Sequence, residues 1–262
     1  MLVGKPGTAR TAIATANAAG IEIRGRDLAG DLMGRMTFTG FFCFLMTGKE
    51  PSEAQRFFLD LLLVAIAEHG LTPSAVAARM TLAAAPEALQ GAVAAGLLGA
   101  GSVILGNSEL CGAVLLDARA RIAAGGDPDA IVLAIAGEIR ARGERLPGFG
   151  HPLHKPVDPR AERILALASE RGVAGPAIDI ARRFGPAAGK VWGRPLPMNV
   201  SMAIAACILD LDFPASMIKA IPILARTAGL LAHLAEEHTH PIGFLMASKA
   251  EDAIAYDGGE KP

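Results

Sequence analysis

The chain has 262 residues, a formal net charge of −1 from 25 basic and 26 acidic side chains, and 52% hydrophobic residues. That length allows one domain or a large lobe with a smaller one, and two lobes are expected. The balanced charge carries no basic block or interleaved aromatic run, which argues against nucleic acid or an anionic membrane surface and for a small-molecule partner.

Cys43, Cys111 and Cys207 are odd in number, far apart and outside any CxxC or histidine-spaced pattern. Neither a disulfide framework nor a zinc site is indicated, and a reducing cytoplasm is expected. The opening Met1–Gly7 lacks an apolar core long enough for a signal peptide, so export is not expected. Residues 1 to about 35 are irregular, with Ile21–Arg26 as the one short strand candidate.

Helix signals then follow in order. Ser52-Glu53-Ala54-Gln55 reads as a capping box, and Phe58, Leu61, Leu62, Ala65, Ile66 and His69 recur at helical spacing, giving one buried face that ends at Gly70. Thr72-Pro73, Asp127-Pro128 and Asp158-Pro159 each place an oxygen-bearing N-cap before a proline at the first helical position. Ala88 to Ser108 is uncharged and about as long as a membrane span, but glycines at 91, 96, 99, 101 and 106 make it weakly apolar. It is expected to be a buried, closely packed helix of a soluble protein. Gly172 and Gly185 read as helix stops, whereas Gly229 sits inside an apolar run. No long alternating β-branched run occurs, so an all-α fold is expected.

The chemistry is concentrated in Gly148-Phe149-Gly150-His151-Pro152-Leu153-His154-Lys155-Pro156-Val157-Asp158-Pro159-Arg160. Two glycines around an aromatic let backbone approach a flat ring, while His151, His154, Lys155 and Arg160 supply a titratable group and fixed positive charge. That combination suits a polyanionic ligand, although composition alone is equally met by a solvated loop between two helices.

The segment resembles the citrate synthase family pattern Gly-(Phe/Tyr)-Gly-His, a basic residue four positions on, and Asp-Pro-Arg with its arginine nine after the histidine. The resemblance implies that the Gly148, Phe149 and Gly150 backbone lies against CoA adenine, Lys155 meets a CoA phosphate, His151 handles a carbonyl oxygen and Arg160 holds a carboxylate. Further similarities run in the family's order. Glu68-His69-Gly70 resembles the approach to its substrate-binding histidine, making His69 a candidate. Pro197-Met198-Asn199-Val200 resembles its Pro-Asn-Val approach to the substrate, with Arg194 where a phosphate-contacting lysine often stands. Ala225 to His233 resembles its late helix, which gives Arg226 a carboxylate.

Three departures bear on turnover. The family's proton-moving aspartate is Ser201 here, and a serine hydroxyl is too weak an acid or base to replace it unaided. Gly101 to Glu109 lacks the histidine that polarises the thioester in synthases, as does the citryl-CoA-cleaving module of ATP-citrate lyase. Ala250 to Pro262 contains no arginine of the kind synthases contribute across their dimer. For cleavage, Arg160 and Arg226 are expected to hold carboxylates and His151 to act as general base. Glu109 is the substitute proton donor considered, against its plain reading as a solvated carboxylate.

The resemblance thus implies a citryl-CoA lyase-like carbon–carbon lyase yielding acetyl-CoA and oxaloacetate. Its alternatives are a CoA- and carboxylate-binding homologue without turnover and a synthase-type acyltransferase. Coenzyme A is expected as part of substrate and product, with no metal. The implied architecture is a large lobe (1–106 and 213–262), a small lobe (107–212), and a homodimer or higher homo-oligomer.

Overall fold

A computed structural model describes residues 9–259 of the chain. The Met1–Gly7 segment and the last three residues of Ala250–Pro262 lie outside them. The chain divides into two compact units, one ending at Asp60 and one beginning at Leu61.

The first unit opens on a small antiparallel sheet of β1 (Ala14–Asn17), β2 (Gly20–Ile23) and β3 (Arg26–Asp27). The strand expected at Ile21–Arg26 is therefore a hairpin, bent at Arg24-Gly25 where both residues have positive φ. Such a turn matches the twist of the strands it joins. A single π-turn, Leu28–Leu32, leads to α1 (Phe38–Thr47). Ile23, Leu32 and Phe44 form a small apolar cluster there.

The capping box opens α2 (Glu53–Ala67) as expected: Gln55 N–H donates to Ser52 Oγ at 3.2 Å and Ser52 N–H to Gln55 Oε1 at 2.9 Å. Phe58, Leu62 and Ile66 are buried at the expected spacing, with Leu59 buried beside them. The helix stops just ahead of Gly70, whose φ is +74°.

The second unit continues with α3 (Pro73–Ala84), α4 (Leu89–Ile104), α5 (Asn107–Ala123), α6 (Pro128–Ala141), α7 (Pro159–Glu170), α8 (Pro176–Trp192), α9 (Val200–Asp210), α10 (Met217–Thr239) and α11 (Gly243–Ala253). All three Xaa-Pro starts are where the sequence puts them. Asp127 and Asp158 accept backbone N–H groups, whereas Thr72 makes no side-chain cap bond. α9 is buried along nearly its whole length, packed by α5, α7 and α8, and its apolar residues run without a polar face.

Two expectations change. Gly185 does not stop a helix: α8 runs through it and Pro186 to Trp192. Burial of Phe184, Ala187 and Ala188 on either side outweighs the local break, and a glycine before proline removes the Cβ that the ring would crowd. The Ala88–Ser108 run is not buried throughout, since Leu98 and Val103 are 82% and 86% exposed and Gly101 kinks α4. Its packed face is narrow: a Cβ on Gly96 would stand 2.7 Å from Leu230. By length and composition, Leu89–Ala123 and α10 could cross a membrane, a test that core helices of soluble proteins also pass.

Candidate active site

All the residues singled out for chemistry lie in the unit beginning at Leu61, and the loop between α6 and α7 assembles most of them. Gly148 has φ +76°, and a Cβ there would stand 2.6 Å from Met202 Cβ and 2.8 Å from Cys111 Sγ, so a side chain does not fit. Gly148 C=O accepts Asn199 N–H at 2.8 Å, and Gly150 N–H donates to Pro197 O at 2.7 Å. These bonds stitch the loop onto the strand-like approach to α9. The Phe149 ring is buried against Phe184, with centroids 6.4 Å apart. It therefore anchors the loop and leaves backbone to face a ligand, and no atom lies within 4 Å of where a Cβ on Gly150 would be.

Asn199 is occupied by the same junction. Its Oδ1 accepts Ser201 N–H at 3.0 Å, capping α9, and its Nδ2 donates to Gly150 O at 3.0 Å. Its side chain ties loop to helix and keeps one Nδ2–H beyond these two bonds.

Asp158 fixes the arginine. Buried at the N-cap of α7, its carboxylate accepts Arg160 Nε at 3.0 Å, Nη2 at 2.9 Å and backbone N–H at 3.0 Å, and also Val200 N–H at 3.0 Å. Burial pushes the Asp158 carboxyl up, but the hydrogen bonds and charge of Arg160 outweigh it and hold it below its ordinary value.

His151 is held just as firmly. Its Nδ1 accepts Leu153 N–H at 3.1 Å and His154 N–H at 2.9 Å. A neutral imidazole has one N–H, so the proton sits on Nε2. That Nε2 stands 3.5 Å from Arg160 Nη2, which also can only donate. Two donors facing each other across that gap call for an acceptor oxygen between them. Burial, together with charge on His154, Arg160 and His69, pushes the His151 pKa below its ordinary value against the opposing pull of Asp158. The expected general base is thus a neutral hydrogen-bond donor, because its only free lone pair is spent on backbone.

His154 joins His69 across 85 residues of sequence. Their Nε2 atoms are 3.1 Å apart, and the His154 ring stacks on His151 at 4.3 Å. The ligating atoms of the three histidines lie within 4.8 Å of one another, close enough for a transition metal. A metal ligand must offer a lone pair, and His151 offers an N–H instead, so this hydrogen-bonding pattern does not suit a three-histidine metal centre.

Arg226 completes the positive site from α10. It is 2% exposed, its Nη2 reaches Ile66 O only at 3.5 Å, and its Nε and Nη1 have no hydrogen-bond partner. Burial pushes its pKa down, as does the charge of Arg160, against the pull of Glu68. A buried guanidinium with unpaired N–H groups is costly unless an anion fills the place.

Other expected residues stand apart. Glu109, in the first turn of α5, is 57% exposed and ion-paired with Lys219 at 2.7 Å, so it is not the partly buried proton donor considered for it. Ser201 is 6% exposed in the first turn of α9. Lys155 and Arg194 are exposed cations, able to meet a phosphate from solvent. Two contributors have no role that the sequence alone reveals. Asp158 reads from the sequence as a cap, although an aspartate two residues before an arginine on a first helical turn can hold it. The partner of His154 is invisible in sequence, because no local pattern reveals a contact so distant.

The citrate synthase C-terminal domain model matches residues 8–243. A Mycobacterium tuberculosis protein provisionally named citrate synthase 2 is 33% identical over 197 residues, covering 72% of this chain and 49% of its own. Citrate synthase of Haloferax volcanii is 26% identical over 204 residues, 75% of this chain and 50% of that protein. The chain thus spans about half the length of these curated relatives. Among solved structures, citryl-CoA lyase from Hydrogenobacter thermophilus superposes with a TM-score of 0.83 at 29% identity, covering 97% of this chain and 96% of that one. ATP citrate lyase from Methanothrix soehngenii, solved with citrate and coenzyme A, shares the fold at a TM-score of 0.76 and 22% identity, over 99% of this chain and 44% of that chain. The chain belongs to the citrate synthase family.

Proposed function

We propose that the protein is a carbon–carbon lyase that cleaves citryl-CoA, or a closely related hydroxyacyl-CoA, to acetyl-CoA and oxaloacetate. The observation that carries this reading is Arg226, a buried guanidinium with two unpartnered nitrogens, close enough to Arg160 to feel its charge. Such a group binds a carboxylate through paired charge-assisted hydrogen bonds. The likeness to citryl-CoA lyase over nearly the full length of both chains supports lyase over synthase. The lobe division at 107 and 212 and the contacts of Lys155 and Arg194 with CoA phosphates belong to the same proposal.

In cleavage the carbon–carbon bond breaks to oxaloacetate and an acetyl-CoA enolate, and the proton that leaves the tertiary hydroxyl passes to water, which returns one to the enolate carbon, so that no net proton is gained or lost. Arg160 and Arg226 hold carboxylates. His151 Nε2–H donates to the hydroxyl oxygen and stabilises the negative charge that grows there, in the manner of an oxyanion donor. Ser201 stands at the family's aspartate position, so the proton for the enolate carbon must come from another source.

Ser201 favours a second reading, a binding protein that keeps the pocket without turnover. Incubation with citryl-CoA, reading free oxaloacetate through a coupled reduction, separates the two. Release above background supports the lyase; none at high protein despite tight CoA binding overturns it. Activity appearing only in Ser201→Asp would identify the binding protein.

A further inference from the structure

The turn that carries His69 is held from behind by groups the active site itself does not use. Glu68 Oε1 accepts the backbone N–H of His69 at 2.7 Å and of Gly70 at 2.6 Å. His233 on α10 places its Nε2 3.0 Å from the same oxygen. On the other side of that ring, Nδ1 lies 3.3 Å from Arg79 Nη1. A guanidinium only donates, so Nδ1 is the lone pair and the ring proton sits on Nε2, which lies beside the Glu68 carboxylate without completing a hydrogen bond to it.

Arg79, 1% exposed, cannot turn away. Its Nε meets Glu237 at 2.6 Å, its Nη1 meets Glu236 at 2.6 Å, and its Nη2 donates to His240 O at 3.0 Å. Four residues before His233, Gly229 lets α10 lie directly on the end of α2: a Cβ there would stand 2.1 Å from Ala67 O. Arg226 lies one turn further back on the same face. It is seven residues, or roughly 10 Å of helix rise, from His233.

We propose that Glu68 is the positioning residue of the carboxylate site: oriented by His233 and Arg79, it fixes the His69 turn against the α10 face that also carries Arg226. One rigid helix then sets the spacing between the arginine that holds the anion and the histidine opposite it. Without the Glu68 carboxylate, the His69 and Gly70 amides lose their shared acceptor, and the turn keeps only the His69–His154 contact and the Thr72 N–H bond to Gly70 O. Burial pushes the Glu68 carboxyl up, but the adjacent His233 ring and the two backbone amides outweigh it and hold it below its ordinary value. It remains an acceptor at neutral pH.

This inference rests on the carboxylate-binding reading, so its test includes a readout that does not depend on ligand. Citrate and CoA affinities are measured by calorimetry for wild type, Glu68→Ala and Glu68→Gln, with imidazole nitrogen NMR of His69 and His233. Glu68→Ala is expected to weaken citrate about 10-fold or more, with CoA affinity within about twofold. Glu68→Gln, which keeps an acceptor oxygen, is expected to return most of that loss. Glu68→Asp keeps the charge but shortens the reach by one methylene; it is expected to fail like alanine and stands in if the alanine form does not fold. Unchanged citrate affinity in Glu68→Ala, an equal loss of CoA affinity, or a His233 proton on Nδ1 overturns the proposal. A wild type that binds no citrate tells against the carboxylate reading instead. Positioning is then decided by the His69 signals, which shift in Glu68→Ala and return in Glu68→Gln if Glu68 sets that ring, and stay put if it does not.

Discussion

Replacing Arg226 by methionine separates the cost of the empty anion site from its use. The guanidinium is 2% exposed and two of its nitrogens have no partner. Each buried, unsatisfied polar group costs about 1–3 kcal/mol, and methionine fills a similar path with a flexible apolar chain. Allowing for imperfect packing, the ligand-free variant is expected to gain about 2 kcal/mol. At about 2–4 °C per kcal/mol for a chain of this size, its Tm rises by roughly 4–8 °C. Binding moves the other way. Two charge-assisted hydrogen bonds at about 1.5–3 kcal/mol each correspond to a loss of about 100-fold or more in citrate affinity. Chemical denaturation without ligand and calorimetry with citrate read the two effects. A variant that is less stable, or that binds citrate as well as wild type, refutes the assignment of Arg226 as an unfilled carboxylate ligand.

Other substitutions test the remaining geometry. Because the His151 pKa lies below its ordinary value of about 6.5, the unfolded chain binds a proton there that the folded one resists, and stability falls as pH drops below that value. Titration also forces an N–H at Nδ1 toward the two amides, so kcat/KM is expected to be flat above neutrality and to decline on the acid side. His151→Asn removes its share of the acid-side stability loss, and denaturation across pH checks this. Glu109→Gln is expected to leave turnover within about twofold and stability within about 1 kcal/mol, as for an exposed ion pair; a collapse of kcat would restore it as the acid. Gly148→Ala is expected to cost about 3 kcal/mol in urea unfolding, from positive φ and overlap with Met202 and Cys111.

Local chemistry made much of this fold legible. Ser52 with Gln55, Asp127 and Asp158 mark helix starts because caps act within one turn, and the structure has them where the residues say. Gly185-Pro186 misleads for the opposite reason: burial of Phe184 and its neighbours is a tertiary effect that a local break signal does not contain. β1 is similarly hidden, since Ala14–Asn17 has no strand-forming pattern and pairs only because β2 lies beside it. In the site, the glycines and the Asp158-Pro159-Arg160 step are visible as sequence, but roles depend on partners. His151 changes from base to donor because of where Leu153 and His154 point their amides, and Glu109 is set aside because Lys219 reaches it from 110 residues away. The orphaned nitrogens of Arg226 exist only once α10 has been laid against the end of α2.

In the proposed function, Arg160, Arg226 and the Nε2–H of His151 together receive a hydroxy-carboxylate attached to, or cleaved from, CoA. A crystal structure with citrate and CoA bound tests it most directly. The expected result places a carboxylate on the two unpartnered nitrogens of Arg226 and an acceptor oxygen in the gap between His151 Nε2 and Arg160 Nη2, with Nδ1 still taking the Leu153 and His154 amides. Citrate bound elsewhere, or His151 turned to offer Nδ1 to the ligand, would contradict it.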